Sequence, residues 1–175
     1  IISVLFSVFM PRFTHIFAEG KKDALIGEIK FSQKVLGLFS TTPIVLIIIF
    51  GQEFFSLWVP TENASKLQLL SIISLIPLVI HGNMWTVYGL NIVLNKVKTP
   101  SMVLIILGIV NILSCYIFLV YFNAEIYIIP MTSSLISILY YSFFIPIYAA
   151  SQLKIKKYTF HIHIIKAILF TSIAI

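Results

Sequence analysis

Six long apolar runs, separated by short polar connections, constrain this sequence more than any other feature. We place them at about residues 1–18, 35–50, 67–94, 101–121, 126–150 and 164–175. A helix of about 20 apolar residues crosses the hydrocarbon core of a bilayer. Hydrophobic residues make up 59% of the chain and charged residues 10%, whereas a soluble domain has about 45–50% and about 25%. The sequence therefore predicts an all-α, polytopic bundle of transmembrane helices, with residues 1–175 in a single transmembrane domain.

The distribution of lysines predicts how these runs are oriented. In chain order, the five connections carry 4, 1, 2, 0 and 4 basic residues. Because basic residues are retained on the cytoplasmic side, we expect the odd-numbered connections inside and the even-numbered ones outside a bacterial cytoplasmic membrane. The net charge of +6 is then a topology signal. It does not indicate nucleic-acid binding, since the basic residues sit in short clusters between apolar runs.

Two of the runs predict departures from simple spanning helices. Residues 67–94 would reach about 42 Å as a helix, more than the roughly 30 Å hydrocarbon core. This run must therefore tilt, kink at Pro77 or extend past the membrane. Residues 22–39 mix lysines with apolar side chains, which indicates either an amphipathic helix on the membrane surface or an extension of the second span into water. The chain begins and ends within apolar runs, so we expect it to be a piece of a longer protein.

The main candidate binding residues lie on one face of the third run. Helical periodicity places on or beside a single line His81, Trp85, Tyr88, Asn91, Ile92 and Asn95. A polar stripe on a spanning helix faces protein or a water-filled cavity, not lipid. It indicates either the lining of a substrate cavity or interhelical hydrogen bonding that holds the bundle together. His81 is either a proton-relay group or a packing residue.

Two further candidates, Arg12 and His15, lie near the predicted cytoplasmic end of the first run. Arg12 either extends to the lipid headgroups or meets a phosphate in a cavity, for which the planar guanidinium is suited. No carboxylate lies in the middle of a predicted span. If transport is coupled to an ion, we expect the acid that binds it to lie outside this sequence.

The positions of other polar residues in the runs favour a role in helix contacts over a role in ligand binding or catalysis. Faces of small or weakly polar residues, which suit close helix contact, occur in the fourth run at Ser101, Gly108, Asn111 and Cys115 and in the fifth at Ser134, Ser137 and Tyr141. His161 and His163 stand beside lysines, which indicates a metal site or, as we favour, an interfacial basic stretch. The sequence lacks paired carboxylates, a Gly-rich phosphate loop and a nucleophile with its base. We predict no catalytic residue, no metal and no cofactor.

Two stretches of the sequence carry a recurring pattern. In residues 9–60, a span ends near a proline, followed by a small residue and glycine, a basic amphipathic stretch, a span with Thr-Pro, and Phe-Gly and Leu-Trp pairs. Here those elements are Pro11, Ala18–Gly20, Thr42–Pro43, Phe50–Gly51 and Leu57–Trp58. Residues 87–100 and 108–121 continue it, before a tight turn and a Ser-rich span. The pattern resembles the Wzx-type repeat-unit flippases of O-antigen and capsule synthesis, in the multidrug/oligosaccharidyl-lipid/polysaccharide exporter superfamily.

The resemblance implies a transporter of about 12 to 14 spans in two lobes around a central cavity, with this chain as most of the second lobe. It implies that undecaprenyl-diphosphate-linked oligosaccharide is moved across the membrane for surface polysaccharide synthesis. Membrane lipids, a polysaccharide polymerase and the chain-length machinery would be further partners. The alternatives are another exporter of the superfamily (a multidrug antiporter or a lipid II flippase) and a membrane O-antigen polymerase or acyltransferase.

Overall fold

A computed structural model describes residues 2–174 and shows an all-α bundle, as predicted. The helices in this part of the chain are α1 (Ile2–Ala18), α2 (Lys22–Trp58), α3 (Ala64–Leu75), α4 (Pro77–Val93), α5 (Lys98–Val120), α6 (Ile128–Leu139), α7 (Ile145–Gln152) and α8 (His161–Ala174). A π-helical turn, Tyr140–Phe144, joins α6 to α7. Four helical segments are long and apolar enough to cross a membrane: Lys22–Trp58, Ala64–Val93, Lys98–Val120 and Ile128–Gln152. Their length and composition indicate a membrane protein.

Helix α4 lies at the centre of the bundle. It packs against α1, α2, α7 and α8, and its most extensive contact is with α2. Two glycines bring α2 and α4 together, since a Cβ at Gly37 would overlap the side chain of Asn83 and one at Gly82 would overlap Ser40. Small residues allow this approach where surrounding lipid gives helices no hydrophobic reason to associate. The core around this contact includes Phe13, Leu25, Ile29, Leu36, Met84 and Leu90, each at most 1% exposed.

Helix α2 continues without a break for 37 residues, which is about 55 Å. Residues 22–39 are thus an extension of the second span, one of the two alternatives that the sequence left open. The apolar side chains of Leu25, Ile29 and Leu36 lie in the bundle core. They are not free to rest on a membrane surface, so the structure does not support the surface helix.

The third predicted run is interrupted at Pro77, one of its three predicted outcomes. Helix α3 ends at Leu75 and α4 begins at Pro77. Because proline has no N–H, the carbonyl of Ile73 loses the donor it would have four residues later. The hydroxyl of Ser134 in α6 donates a hydrogen bond to that carbonyl at 2.6 Å. A neighbouring helix thus satisfies the group that the proline leaves free.

Helix α5 is attached to the bundle at two places. Near its start, the Tyr140 hydroxyl donates to the carbonyl of Pro100 at 3.1 Å. Farther along, the Asn111 amide donates to the Ser133 hydroxyl of α6 at 2.9 Å. The Cys115 sulfur also contacts α6. Asn111 and Cys115 therefore have the packing role predicted for them.

An apolar cleft of about 610 Å³ lies between α5 and the span formed by α6, the π-helical turn and α7. Leu107 of α5 and Phe144 of the π-helical turn are among the residues that line it. Gly108 was predicted to lie on a packing face, but a Cβ there would have no neighbour within 4 Å. This part of the prediction is wrong, because Gly108 is exposed and no neighbouring helix approaches it.

Candidate functional site

Four rings stack along one side of α4 and onto the π-helical turn. The ring centroids of His81 and Trp85 are 4.9 Å apart, and those of Trp85 and Tyr88 are 6.1 Å apart. Tyr141 stacks on His81 at 4.1 Å with the ring planes 28° apart. We call His81, Trp85, Tyr88 and Tyr141 the aromatic ladder. Three of the predicted candidates thus form one contact cluster, and the fourth ring comes from another span.

The π-helical turn accounts for the presence of Tyr141 in this ladder. Pro146 follows the turn and has no N–H to donate. The backbone widens before it, so that the N–H of Ile145 bonds to the carbonyl of Tyr140, five residues back. The widened turn sets the directions in which Tyr140 and Tyr141 project, the first to Pro100 of α5 and the second to α4. The sequence pattern places Tyr141 on a packing face and does not predict this contact with His81.

His81 lies between two cavities. The larger, about 440 Å³, is bordered by His81 and Trp85, with residues of α2 and α3 completing its wall. The smaller, about 200 Å³, is lined by His81, Pro77, Pro130 and four serines: Ser74, Ser133, Ser134 and Ser137. Nε2 of His81 is buried and makes no hydrogen bond to the described residues. The ladder therefore borders open space and also joins two spans, through ring contacts and not through the interhelical hydrogen bonds that were one predicted alternative.

The remaining residues of the predicted line have different surroundings. Asn91 is 1% exposed, and neither polar atom of its side chain has a hydrogen-bond partner among the described residues. Ile92 is about half exposed. Asn95 has a φ of 53° and ends α4, with the N–H groups of Asn95 and Lys96 bonded to the carbonyls of Ile92 and Asn91. Asparagine suits this left-handed helix ending, so helix termination accounts for Asn95, whereas no contact compensates for the burial of Asn91.

Arg12 and His15 are paired with acidic residues and not with the ladder. Nε of Arg12 lies 3.1 Å from Oε1 of Glu28, and the Arg12 side chain is 67% exposed. The two groups are close but not aligned for a hydrogen bond. Nδ1 of His15 lies 3.5 Å from a carboxylate oxygen of Glu19. A hydrogen bond from Lys21 lowers the pKa of Glu19, which favours its charged form beside these bases.

The three lysine-rich connections meet at one end of the bundle, as their alternation predicts. A cavity of about 360 Å³ there is lined by one lysine from each connection, Lys22, Lys96 and Lys154, which we call the turn cluster. Each connection starts with a left-handed residue, Gly20, Asn95 or Lys154, that ends the preceding helix. The helix C-termini present carbonyls with partial negative charge, which stabilise nearby cations. Nζ of Lys22 donates to the Lys154 carbonyl at 3.4 Å.

A second basic region lies between α2 and α8. Its cavity of about 310 Å³ is lined by Lys34 of α2 and by His163 and Lys166 of α8, which we call the α2–α8 cluster. His163, which precedes the predicted sixth span, has its pKa lowered by burial and by Lys34, Lys166 and Lys30. Positive neighbours also oppose a metal cation here, and the described residues hold no group of three metal ligands. In the sequence these lysines are only topology signals, and nothing there predicts that Lys34 and Lys166 line one cavity.

Comparisons with protein-family models, with curated proteins and with solved structures find no match to this chain. The functional argument therefore depends on the surroundings of the aromatic ladder and the two basic regions. The ladder is the feature that brings sequence-predicted binding residues together on the central helix.

Proposed function

We propose that this chain is the second lobe of a two-lobed flippase, which moves undecaprenyl-diphosphate-linked oligosaccharide repeat units to the outer leaflet of a bacterial cytoplasmic membrane. The observation that carries the proposal is the aromatic ladder on α4, where His81 and Trp85 border a cavity of about 440 Å³. Aromatic rings offer flat apolar faces against which sugar rings stack. His81 and Asn91 add buried polar atoms that lack partners among the described residues.

The transport problem explains why such a surface belongs on a central helix. Diphosphate and sugar groups cannot cross hydrocarbon unaided, since polar groups there lose their hydrogen bonds to water. A cavity that opens alternately to each side lowers this barrier by offering the polar groups new partners. Helix α4 supports this reading because its polar residues lie inside the bundle and away from lipid. The turn cluster adds lysines at the end of the bundle where an anionic headgroup would enter.

Deletion of the gene tests the proposal directly. We expect loss of surface polysaccharide and accumulation of lipid-linked repeat units on the inner leaflet, because synthesis continues while transfer stops. Lipid-linked glycans would be extracted, and their sidedness measured on spheroplasts with a glycosidase that does not cross the membrane. Normal surface polysaccharide in the deletion strain would contradict the proposal. Normal glycans with increased drug sensitivity would favour a multidrug exporter.

The two tryptophans provide a matched test of the ladder. We expect Trp85→Ala to lower export roughly twofold to tenfold, since one aromatic contact contributes about 0.5–1.5 kcal/mol beyond the area it buries. Trp58 lies at the end of α2 and is 68% exposed, so Trp58→Ala should leave export close to wild type. Both variants would be expressed in the deletion strain and export compared at equal membrane levels. Equal export by the two variants would remove the ladder from the substrate path.

Arg12 is the cation of α1 that we propose contacts the diphosphate. Its side chain is 67% exposed despite the ion pair with Glu28, so a phosphate can approach it. We expect Arg12→Ala to lower export and Arg12→Lys to retain part of it, since lysine keeps the charge but loses the planar fork. Glu28→Gln is the control, because it removes the ion pair and leaves the guanidinium. Wild-type export in Arg12→Ala would reduce Arg12 to a surface anchor.

A further inference from the structure

The α2–α8 cluster contains a largely buried imidazole that makes no hydrogen bond to the described residues. His163 is 6% exposed and lines the cavity between the two helices. No hydrogen bond connects its ring to the part of the chain that the structure describes. Because a buried polar side chain is normally hydrogen-bonded, the cavity is the place where a partner for this imidazole would lie.

The charges around this cavity all have the same sign. Lys34 and Lys166 line it together with His163, and Lys30 is close enough to lower the pKa of the same ring. The ion pairs found among the described residues include none of these three lysines. The cavity is therefore a region of uncompensated positive charge, which attracts an anion.

The backbone adds to this charge at the α2–α8 cluster and opposes it at the turn cluster. Helix α8 begins at His161, so the cavity lies beside its first turns, where the helix dipole is positive. In the turn cluster, Lys96 and Lys154 instead follow the C-termini of α4 and α7, and Lys22, which begins α2, already donates to the Lys154 carbonyl. Of these two basic regions, the α2–α8 cluster is the one whose charge the protein does not satisfy.

The other polar groups in the cavity wall are already bonded. The Thr41 hydroxyl donates to the carbonyl of Gly37 at 2.9 Å, and the Asn83 amide donates to the carbonyl of Val79 at 2.7 Å. The donors left for a ligand are consequently two ammonium groups, an imidazole and the second N–H of the Asn83 amide. A volume of about 310 Å³ accommodates more than a single phosphate group, so an esterified phosphate also fits.

We propose that Lys34, His163 and Lys166 bind a phosphate group, which belongs either to the headgroup of an anionic membrane lipid or to a soluble phosphate. Ammonium and imidazole groups donate charge-assisted hydrogen bonds to phosphate oxygens. Basic pockets between spanning helices suit anionic headgroups. The inference goes beyond the proposed transport, because it holds for any membrane protein with this cavity.

Titration calorimetry on the intact protein in a neutral detergent tests this site. Dioctanoyl phosphatidylglycerol, dioctanoyl phosphatidylcholine and inorganic phosphate are titrated separately. The cluster variant is K34Q/K166Q. The matched control, K156Q/K157Q, removes the same charge from two exposed lysines between α7 and α8. H163Q is a milder second variant that keeps a hydrogen-bond donor, and it decides the matter if the double variant does not fold.

We expect phosphatidylglycerol to bind and K34Q/K166Q to weaken its binding roughly tenfold or more, since hydrogen bonds to charged groups are the stronger ones. H163Q should weaken binding less, and K156Q/K157Q should leave it within about twofold. If inorganic phosphate binds as well, K34Q/K166Q should weaken that binding too, because both ligands would use one site. This result would identify a phosphate site with a soluble ligand. Equal affinities in the cluster and control variants, or equal binding of phosphatidylcholine and phosphatidylglycerol with no binding of phosphate, would overturn the proposal.

Discussion

Helices α4 and α5 follow each other in the sequence but have opposite surroundings. Helix α4 buries eleven residues, whereas Pro100 is the one buried residue described in α5. The less buried helix is nevertheless the one made mostly of isoleucine, leucine and valine, while α4 contains two glycines and two asparagines. An apolar helix can face lipid directly, because lipid tails are as apolar as its side chains. Small or polar residues are retained where helices contact each other. Between these two helices, burial therefore runs opposite to hydropathy.

The largest expected difference in stability between the two helices comes from replacing a glycine by leucine. A Cβ at Gly82 of α4 would overlap Ser40, so Gly82→Leu must push α2 and α4 apart. We expect it to lower the free energy of unfolding by about 3 kcal/mol, the upper end of the cost of overpacking. Gly108→Leu in α5 enters open space and should change stability by less than about 0.5 kcal/mol. Unfolding in mixed detergent micelles, followed by circular dichroism, would compare them, and equal losses would contradict the central position of α4.

Truncating a leucine should give a smaller difference of the same sign. Leu90 of α4 is 0% exposed and Leu113 of α5 is 55% exposed. Leu90→Ala leaves a cavity, and we expect a loss of about 2 kcal/mol, the low end for buried leucines, because the unfolded chain in the micelle stays in apolar surroundings. Leu113→Ala exchanges one lipid contact for another and should cost less than about 0.5 kcal/mol. The same unfolding measurement applies, and a costly Leu113→Ala would show that α5 packs against protein.

The smallest expected effects come from the two asparagines, and they differ in sign. Asn91→Leu in α4 removes two amide atoms without partners, so we expect stability to stay level or rise by about 1 kcal/mol. Asn111→Leu in α5 removes the hydrogen bond to Ser133 and should lower stability by about 0.6 kcal/mol, the average for such bonds in membranes. Export by Asn91→Leu should fall even though the protein is no less stable. Destabilisation by Asn91→Leu would mean that the side chain has a structural partner.

Local chemistry accounts for what the sequence predicts correctly. Run length and composition predict the helical bundle, and the lysine alternation predicts that three connections share one end, which Lys22, Lys96 and Lys154 do. The interruption at Pro77 follows from the missing N–H. The ending of α4 at Asn95 was also within reach, because asparagine followed by lysine after an apolar run is a common signal of a helix C-terminus.

Contacts between distant segments account for what the sequence missed. Tyr141 reaches His81 through a π-helical turn, and the register of that turn depends on packing against two other spans. Lys34 and Lys166 meet although more than half of the chain lies between them, and a single sequence carries no record of such a pairing. Gly108 lies on a face of small residues that suits packing, but the pattern does not reveal whether another helix covers that face, and none approaches Gly108.

The hydrogen bond from Ser134 to Ile73 links the interruption at Pro77 to a second span. The carbonyl that Pro77 leaves without a donor is bonded to α6 and not to its own helix. Moving α3 without α6 would leave that carbonyl unpaired in apolar surroundings, which is costly. Helices α3 and α6 are therefore coupled beside Pro77, and we expect a rearrangement of this bundle to move the two together.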